Sequence, residues 1–230
     1  GYIAEGYFQS EEEIKKSPRQ MRELAPGDIK YKDLNDDGVI DANDQCYLGK
    51  SWFPSWSYGM GFNINYHNFD LALFFQGVSD VSIMANGGSI DTGNGDWGAS
   101  GVGIVPFTGM GLNPSNVITK ALDRWTADNP RADAWYPRMT ANATTNDNNY
   151  VNSTHWLKDG SYLRLKQASL GYTLENKKLM DKGIEYLYFY LSGQNLLTFS
   201  KFKLWDPELG SNGAKYPLSR MVTLGMRVSF

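Results

Sequence analysis

The chain has 230 residues, and its 22 Lys and Arg against 25 Asp and Glu give a net charge of −3. This charge gives no electrostatic reason to expect nucleic acid as a partner, and the single Cys46 excludes an internal disulfide framework or a Cys-rich zinc site. With 24 Gly, 11 Phe, 7 Trp and 14 Tyr but only 20% charged residues, the composition favours an aromatic-rich β protein over a helical bundle.

The hydropathy of the chain is compatible with a membrane protein built from strands. No stretch reaches the roughly 18 apolar residues of a transmembrane helix. Barrel strands need only about 9–11 residues and alternate polar with apolar side chains, which agrees with a mean hydropathy of −0.45. The sequence begins at Gly1 without Met or a signal peptide, so we expect a processed protein or a piece of a longer one.

The charged N-terminal region contains one predicted helix and one predicted metal site. The helix lies within Glu11–Glu23 and ends before Pro26. Residues 33–44 have the spacing of a calcium loop, in which positions 1, 3, 5, 7, 9 and 12 supply hard oxygens, Gly38 permits the sharp turn and Ile40 is the apolar anchor. The predicted ligands of a structural Ca²⁺ are Asp33, Asn35, Asp37, the carbonyl of Val39, Asp41 and Asp44. Asp44 is shorter than the Glu usual at the last position, although dockerin-type loops also use Asp there; a solvated acidic turn is the alternative.

Long strands with alternating side chains are predicted after this loop. Ser57–Tyr66 and Phe69–Gly77 form a hairpin around the two-residue turn His67-Asn68, where Asn accepts a positive φ. In Tyr162–Leu174 the apolar positions change face, so a bulge is predicted near Lys166-Gln167. Two further strands are predicted, Glu185–Leu197 and a last one that runs from Met221 to Phe230.

The lengths of the connections separate two folds that share this alternation, a barrel and a β-sandwich. His67-Asn68 and Glu175–Gly183 are short, whereas Val78–Gly160, with a short predicted helix Asn116–Trp125 capped by Ser115, and Thr198–Ser219 are long. Loops longer than about 15 residues are unusual inside a compact soluble domain. Short periplasmic turns and long outer loops are the plan of outer-membrane barrels, which the loop lengths therefore favour.

The tryptophans lie in predicted loops or just before strands. Trp56 and Trp156 precede strands, as in an interfacial aromatic girdle. Four others are candidates for sugar or peptide stacking or for a partner contact, with packing inside the loops as the alternative: Trp97, Trp125, Trp135 and Trp205. His67 and His155 have no second metal ligand at a suitable spacing and are predicted to be exposed loop residues.

Ordered motifs extend over nearly the whole chain. They are Pro26-Gly27-Asp28-Ile29-Lys30-Tyr31-Lys32-Asp33, Phe69-Asp70-Leu71 with Phe74-Phe75-Gln76-Gly77, Tyr162-Leu163-Arg164-Leu165-Lys166 with Leu170-Gly171-Tyr172, Ser192-Gly193-Gln194-Asn195-Leu196, Trp205-Asp206-Pro207-Glu208 and Tyr216-Pro217-Leu218. Together they resemble the C-terminal region of SusC/RagA-type TonB-dependent outer-membrane transporters.

The resemblance implies an all-β fold, in which residues 1–230 are the last antiparallel transmembrane strands of a 22-stranded β-barrel with long extracellular loops. It places the protein in the outer membrane of a Gram-negative cell. The implied partners are a SusD-like lipoprotein, the remaining N-terminal barrel and plug of the same transporter, TonB, outer-membrane lipid, and a glycan or peptide substrate. About six to eight strands cannot close such a barrel, so the chain is expected to be a C-terminal fragment or one polypeptide of a larger barrel.

The resemblance also assigns sides to the strands. Phe230 resembles the signal for outer-membrane insertion, with an ordinary closing strand as the alternative. The predicted lipid-facing residues are Phe62, Ile64, Leu71, Leu73, Phe189, Leu224 and Val228, and the predicted lumen-facing residues are Asn63, Asn65, Gln194 and Arg227. With the C-terminus in the periplasm, strand parity places both long loops and the calcium loop outside the cell.

We therefore expect a transporter segment that performs no covalent chemistry. The alternative from a different class is a secreted, calcium-stabilised β-sandwich that binds carbohydrate. A third hypothesis is a calcium-dependent enzyme acting on glycans. It is the weakest of the three, because no nucleophile motif selects a catalytic group and acidic pairs alone do not define one.

Overall fold

The computed structural model describes residues 1–86, 119–139, 147–211, 213, 216 and 218–230. In chain order its strands and helices are β1 (Ala4–Tyr7), α1 (Glu11–Lys16), β2 (Ile29–Tyr31), β3 (Trp56–Tyr66), β4 (Phe69–Ser79), β5 (Ser82–Met84), β6 (Leu157–Asp159), β7 (Tyr162–Leu174), α2 (Lys177–Met180), β8 (Tyr186–Ser200) and β9 (Met221–Ser229). Short 3₁₀ turns lie at Ala42–Asp44, Thr119–Leu122, Asp147–Tyr150 and Pro207–Leu209. None of the described helices is long and apolar enough to cross a membrane.

The chain divides into two compact units. One, called here the strand unit, comprises Phe53–Val81, Gly160–Lys203 and Pro217–Phe230. The other, called here the loop unit, comprises Gly1–Trp52, Ser82–Asp159 and Leu204–Tyr216.

The strand unit is one antiparallel five-stranded sheet in the order β3-β4-β7-β8-β9. The alternating strands predicted from the sequence are confirmed, with ends that differ by at most three residues. The predicted hairpin turn is also confirmed, because Tyr66 pairs with Phe69 across it. The positive φ falls on His67, at 50°, and not on Asn68 as the turn chemistry predicted.

The predicted bulge lies at Lys166. Gln167 pairs with Phe74 on β4, and Leu165 pairs with the next residue, Phe75, so one residue of β7 is left over between them. On the other side of β7, Gln167 pairs with Gln194 of β8 and Leu165 pairs with Leu197. Two residue steps along β7 therefore face three along β8, and Asn195 in this stretch has φ 53°. The extra residue returns the apolar side chains of β7 to one face, as the change of phase in the sequence predicted.

The loop unit contains two small antiparallel sheets, β1-β2 and β5-β6, around a compact core. Phe8, Ile29 and Trp156 are completely buried there. Buried polar side chains replace regular ladders: the Gln20 amide donates to the carbonyl of Ile29 at 2.9 Å, and the indole N–H of Trp156 donates to the carbonyl of Asn149 at 2.7 Å. These bonds satisfy backbone groups that short strands leave unpaired.

Three predicted elements differ from the structure. The first helix is α1 alone and ends at Lys16, because the residue before a proline is driven out of the helical region and Ser17, before Pro18, is extended, with ψ 159°. Of the predicted helix Asn116–Trp125, the described part contains only the 3₁₀ turn Thr119–Leu122, and residues 115–118 lie outside it. The predicted long loop Val78–Gly160 begins later, because β4 extends to Ser79, and it contains β5 and β6.

Candidate functional site

The five-stranded sheet has one apolar face. Direct cross-strand partners lie on the same side of a sheet, so the observed register defines each face. One row runs from Phe62 on β3 to Leu73 on β4, and a second joins Leu170 on β7 through Leu191 on β8 to Leu224 on β9. All seven residues predicted to face lipid lie on this face.

Many side chains of the apolar face are exposed in the part of the chain that the structure describes. Phe62 is 48% exposed, Ile64 55%, Leu191 47% and Leu224 79%. Contiguous exposed apolar surface on this scale marks a surface that contacts another apolar phase or a partner. The four residues predicted to face the lumen, Asn63, Asn65, Gln194 and Arg227, lie on the opposite face, which the register also shows.

Side chains on the polar face pack flat over glycines of the neighbouring strands. The Tyr188 hydroxyl donates to the Asp70 carboxylate at 2.9 Å, and the Arg227 guanidinium lies 5.8 Å from the Tyr188 ring. Gly171 leaves the space that the Tyr188 hydroxyl occupies, and Gly225 likewise lies under the Tyr190 ring. A β-carbon at either glycine would collide with the tyrosine, so these small residues are required where they stand.

The sheet has two open edges. Among the described strands, β3 pairs with β4 alone and β9 with β8 alone. An open edge of 9 or 11 residues leaves a row of backbone donors and acceptors that requires a further partner. The strand unit is therefore incomplete as a sheet. Phe230, the predicted insertion signal, follows β9 directly and is 84% exposed; its role stays a prediction.

The first half of the acidic loop folds onto its own backbone amides. Asp33 Oδ2 accepts from the amide of Gly38 at 2.8 Å, and Asn35 Oδ1 accepts from that of Asp37 at 3.0 Å. Asp37 in turn accepts from the amide two residues onward at 2.9 Å. Gly38 has φ 82°, so the sharp turn predicted at this position is confirmed.

The second half of the loop is anchored by a buried carboxylate. Asp44 is completely buried, and its two oxygens accept from the amides of Leu34 and Asp41, each at 2.8 Å. The amide of Asp41, followed by that of Leu34, holds the pKa of Asp44 below its usual value. Ile40, the predicted apolar anchor, is 1% exposed, and its amide donates to the carbonyl of Arg19 at 2.8 Å.

The loop has the donors that calcium prefers but not a closed arrangement of carboxylates. Its predicted ligands are all oxygen donors, and Asp33 Oδ1 is buried without a hydrogen bond in the described part of the chain. Yet no three His, Cys, Asp or Glu side chains among the described residues are grouped closely enough to hold a metal ion. Backbone amides already stabilise the Asp44 carboxylate, so its burial does not require a metal ion. The binding of calcium by this loop therefore stays a prediction.

The predicted tryptophan contacts have different surroundings. Trp97 lies outside the described residues. Trp125 is 5% exposed and packs beside Gly27, which favours the packing role left open as the alternative. Trp135 and Trp205 are partly exposed, and the Trp205 N–H donates to the carbonyl of Gly210 at 2.8 Å.

Two predictions about loop aromatics are wrong. Trp156, predicted in an interfacial girdle, is completely buried in the loop unit. His155, predicted to be exposed, is partly buried edge-on against Trp156 with ring centroids 4.6 Å apart. Burial, with the nearby charge of Lys158, lowers the pKa of His155 to about 4. In both cases contacts between distant segments, which periodicity does not record, supply the burial.

The sequence interpretation missed one cationic cluster. Lys120 and Lys158 lie 6.0 and 5.5 Å from the centre of the Trp135 ring. These three residues are 15 to 38 positions apart in the chain, and no motif links them.

The chain is similar in sequence to known proteins. It matches no protein-family model. TonB-dependent receptor P26 of Formosa agariphila is 30% identical over 241 residues, covering 98% of this chain, and TonB-dependent receptor P3 of the same organism is 27% identical over 246 residues, covering all of it. The chain spans 22% of the length of each of these relatives.

Solved structures show the same fold. Structures of the RagAB peptide importer in the open-open and closed-closed states match all of this chain with TM-scores of 0.63 and 0.64 at 24% and 25% identity. A structure of the RagAB peptide transporter matches it with a TM-score of 0.65 at 23% identity. The chain covers 22 to 23% of each matched chain. The antiparallel all-β fold and the resemblance predicted from the motifs are thereby confirmed: this chain is similar in sequence to one segment of two TonB-dependent receptors and similar in fold to one segment of the RagAB structures.

Proposed function

We propose that the chain forms barrel wall and outer loops of a TonB-dependent outer-membrane transporter. The observation that carries the proposal is the exposed apolar face that extends across all five strands, opposite a polar face. Outer-membrane strands alternate in this way, with the apolar side toward lipid and the polar side toward the lumen. The open edges of β3 and β9 then pair with the remaining strands of the barrel, which fits the 22% coverage of the relatives.

A soluble β-sandwich accounts less well for this surface. A sandwich buries the apolar face of each sheet against a second sheet about 10 Å away. Here the apolar side chains of the edge strand β9 are exposed, with Leu224 at 79% and Val222 at 67%. The surface therefore supports the transporter proposal over a secreted carbohydrate-binding module.

The order of the strands supports one orientation of the chain in the outer membrane. The three segments of the loop unit precede β3, join β4 to β7 and join β8 to β9, so all of them connect to the same ends of the antiparallel strands. The two short connections, at His67-Asn68 and Glu175–Gly183, join the other ends. With long loops outside and short turns in the periplasm, the loop unit is extracellular.

The proposed whole transporter imports a glycan or a peptide with a SusD-like lipoprotein as partner, and it takes energy from TonB through its N-terminal part. The structures of the RagAB peptide importer support this type of assembly. In this role the chain needs no catalytic residue. Calcium bound at Asp33, Asn35, Asp37, Val39, Asp41 and Asp44 would be a structural ion of the extracellular loop unit, supported by the ligand spacing and by the buried, unbonded Asp33 Oδ1.

Surface labelling of the full-length receptor tests the proposal. A short epitope inserted at Asp128, an exposed residue of the loop unit, should bind antibody on intact cells. The same epitope inserted at Asp181, in the short connection after α2, should bind antibody only after the outer membrane is permeabilised. Membrane fractionation of both variants is the control. The reverse labelling pattern, or recovery of the receptor in a soluble fraction without detergent, would contradict the proposal.

A further inference from the structure

The apolar face of the sheet gives way to lysines where β8 ends. Leu197 and Phe199 belong to that face, because each pairs with a leucine of β7, and both are exposed. The alternation of exposed and covered side chains continues past the last residue of the strand. Lys201 and Lys203 are exposed, and Phe202 between them is buried. The two lysines therefore follow the two apolar side chains on the same side of the chain.

The backbone that carries these lysines is held in place. The Ser200 hydroxyl donates to the carbonyl of Ser161 at 2.8 Å and accepts from the amide of Phe202 at 3.1 Å. The buried Phe202 ring fixes the residue between the lysines. The stem of a lysine can lie along apolar surface while its ammonium group reaches a polar layer. Lys201 and Lys203 can therefore meet charged groups just beyond the apolar face.

The strand unit does not neutralise the two lysines. Among the described residues, no carboxylate forms an ion pair with Lys201 or Lys203. Asp80, directly after β4, lies at this end of the sheet and accepts from the Ser55 hydroxyl at 2.6 Å. The other carboxylates of the strand unit lie toward the short turns at the opposite end: Asp70, Glu175, Asp181 and Glu185. The end of the sheet that bears the lysines is therefore positively charged.

An exposed indole lies at the same end of the sheet. Trp56 is the first residue of β3 and pairs with Ser79, the last residue of β4. Alternation along β3 places Trp56 on the apolar face with Phe62, and its side chain is exposed. Tryptophan is enriched where the apolar layer of a membrane meets the polar headgroups. Apolar side chains, an indole and then lysines together have the composition of a membrane boundary.

From this arrangement we infer that Lys201 and Lys203 bind the phosphate groups of a phosphorylated glycolipid in the outer leaflet, with its acyl chains on Leu197 and Phe199. In the proposed orientation, these ends of the strands point out of the cell. Lysine binds phosphate as a point charge, and two lysines match a headgroup with more than one phosphate. The exposed apolar side chains beside them favour a ligand with acyl chains over a free anion. The inference rests on the proposed function and names a lipid partner for the barrel wall.

Lipid binding by the full-length receptor in a neutral detergent tests the site, with the Kd measured by native mass spectrometry. The probe is bisphosphorylated lipid A, compared with the same lipid after dephosphorylation, with dioleoylphosphatidylglycerol and with inorganic phosphate. A basic residue at an anionic lipid surface contributes about fivefold in affinity, so Lys201→Gln with Lys203→Gln should raise the Kd for lipid A roughly 25-fold. Lys201→Arg with Lys203→Arg keeps both charges and should stay within about threefold of wild type. Lys15→Gln with Lys16→Gln, at an exposed pair on α1, is the matched control and should not change the Kd.

Five results would overturn the lipid site. The first two are an equal Kd for wild type and the double glutamine variant, and an equal Kd for phosphorylated and dephosphorylated lipid A. Equally tight binding of dioleoylphosphatidylglycerol would indicate a general attraction to anionic lipid, and equally tight binding of inorganic phosphate a site for the free anion. Loss of binding in the double arginine variant as well would indicate a structural role for the lysines. Surface labelling and fractionation need no added lipid, so any of these results with a correctly placed receptor refutes the lipid site alone.

Discussion

The ion pair between Asp28 and Arg138 is expected to hold together two distant segments of the loop unit. Arg138 donates to both Asp28 oxygens, at 2.9 Å each, and the Asp28 side chain is 2% exposed. The Asp28 carboxylate accepts further bonds from the amide of Ala25 at 2.9 Å and from the side chain of Asn149 at 2.8 Å. The informative change is Arg138→Met, which removes the guanidinium and keeps most of the side-chain volume.

The cost of this change follows from what remains around Asp28. Breaking a buried ion pair by removing one partner costs about 3–5 kcal/mol, because the other charge stays buried without compensation. Arg138 is 25% exposed, so water reaches the carboxylate from that side, and two protein donors stay in place. We therefore expect a loss at the lower end, about 3 kcal/mol, which corresponds to an increase of about 150-fold in local opening.

Hydrogen exchange of the full-length receptor measures that opening. The reporting amides are those of Gly27, bonded to the carbonyl of Phe8 at 2.7 Å, and of residue 138, bonded to the carbonyl of Gly27 at 2.8 Å. The control Arg131→Met removes two ion pairs of a more exposed arginine, with Asp123 and Asp133, and should change exchange less than about tenfold. Asp28→Asn with Arg138→Met should cost less than the sum of the single changes. Unchanged exchange in Arg138→Met, or strict additivity, would refute the reasoning.

Three further predictions concern the acidic loop and the two faces of the sheet. Asp37→Ala should lower the melting temperature of the receptor in calcium but not in chelator, and equal melting of wild type in both conditions would contradict the calcium site. Cysteine at Phe62 should react with a lipid-soluble reagent and cysteine at Asn63 should not; the opposite result would overturn the assignment of the faces. Gly225→Ala should destabilise the folded receptor by about 1–3 kcal/mol, because the new methyl group meets a tyrosine ring, whereas Gly61→Ala, with ordinary contacts from 3.7 Å, is the matched control; equal stability in denaturant titrations would show that the ring moves aside freely.

The strand unit was predictable because its information is local. Alternation over 9 to 15 residues defines a strand and its two faces, and a single break in the alternation located the bulge at Lys166. The short turns and the order of the motifs then indicated an antiparallel barrel segment. The charge pattern after Ser10 predicts a longer helix than the structure has, because Pro18 keeps the preceding residue out of the helical conformation.

The loop unit was not predictable in the same way because its contacts join distant residues. β2 has three residues and is fixed by hydrogen bonds that its backbone amides donate to the side chains of Gln20 and Asn149, the latter 120 positions from Ile29. The burial of His155 likewise depends on packing against Tyr7, 148 positions away, and that of Trp156 on packing against Trp135 in an earlier segment of the chain. Such contacts leave no period in the sequence. The pairing of Lys158 with Trp135 is missed for the same reason.

The bulge at Lys166 determines which single-codon deletions the chain can tolerate. Loss of that codon would remove the bulge and leave β7 with unbroken alternation. The residues of β7 before the bulge would then change from one face of the sheet to the other. Leu163 and Leu165 would then move to the polar face, and Arg164 to the apolar one. A codon lost from the connection after Leu174 leaves every face unchanged. Length variation is therefore constrained at this position by the parity of the strand and not by the chemistry of the lysine itself.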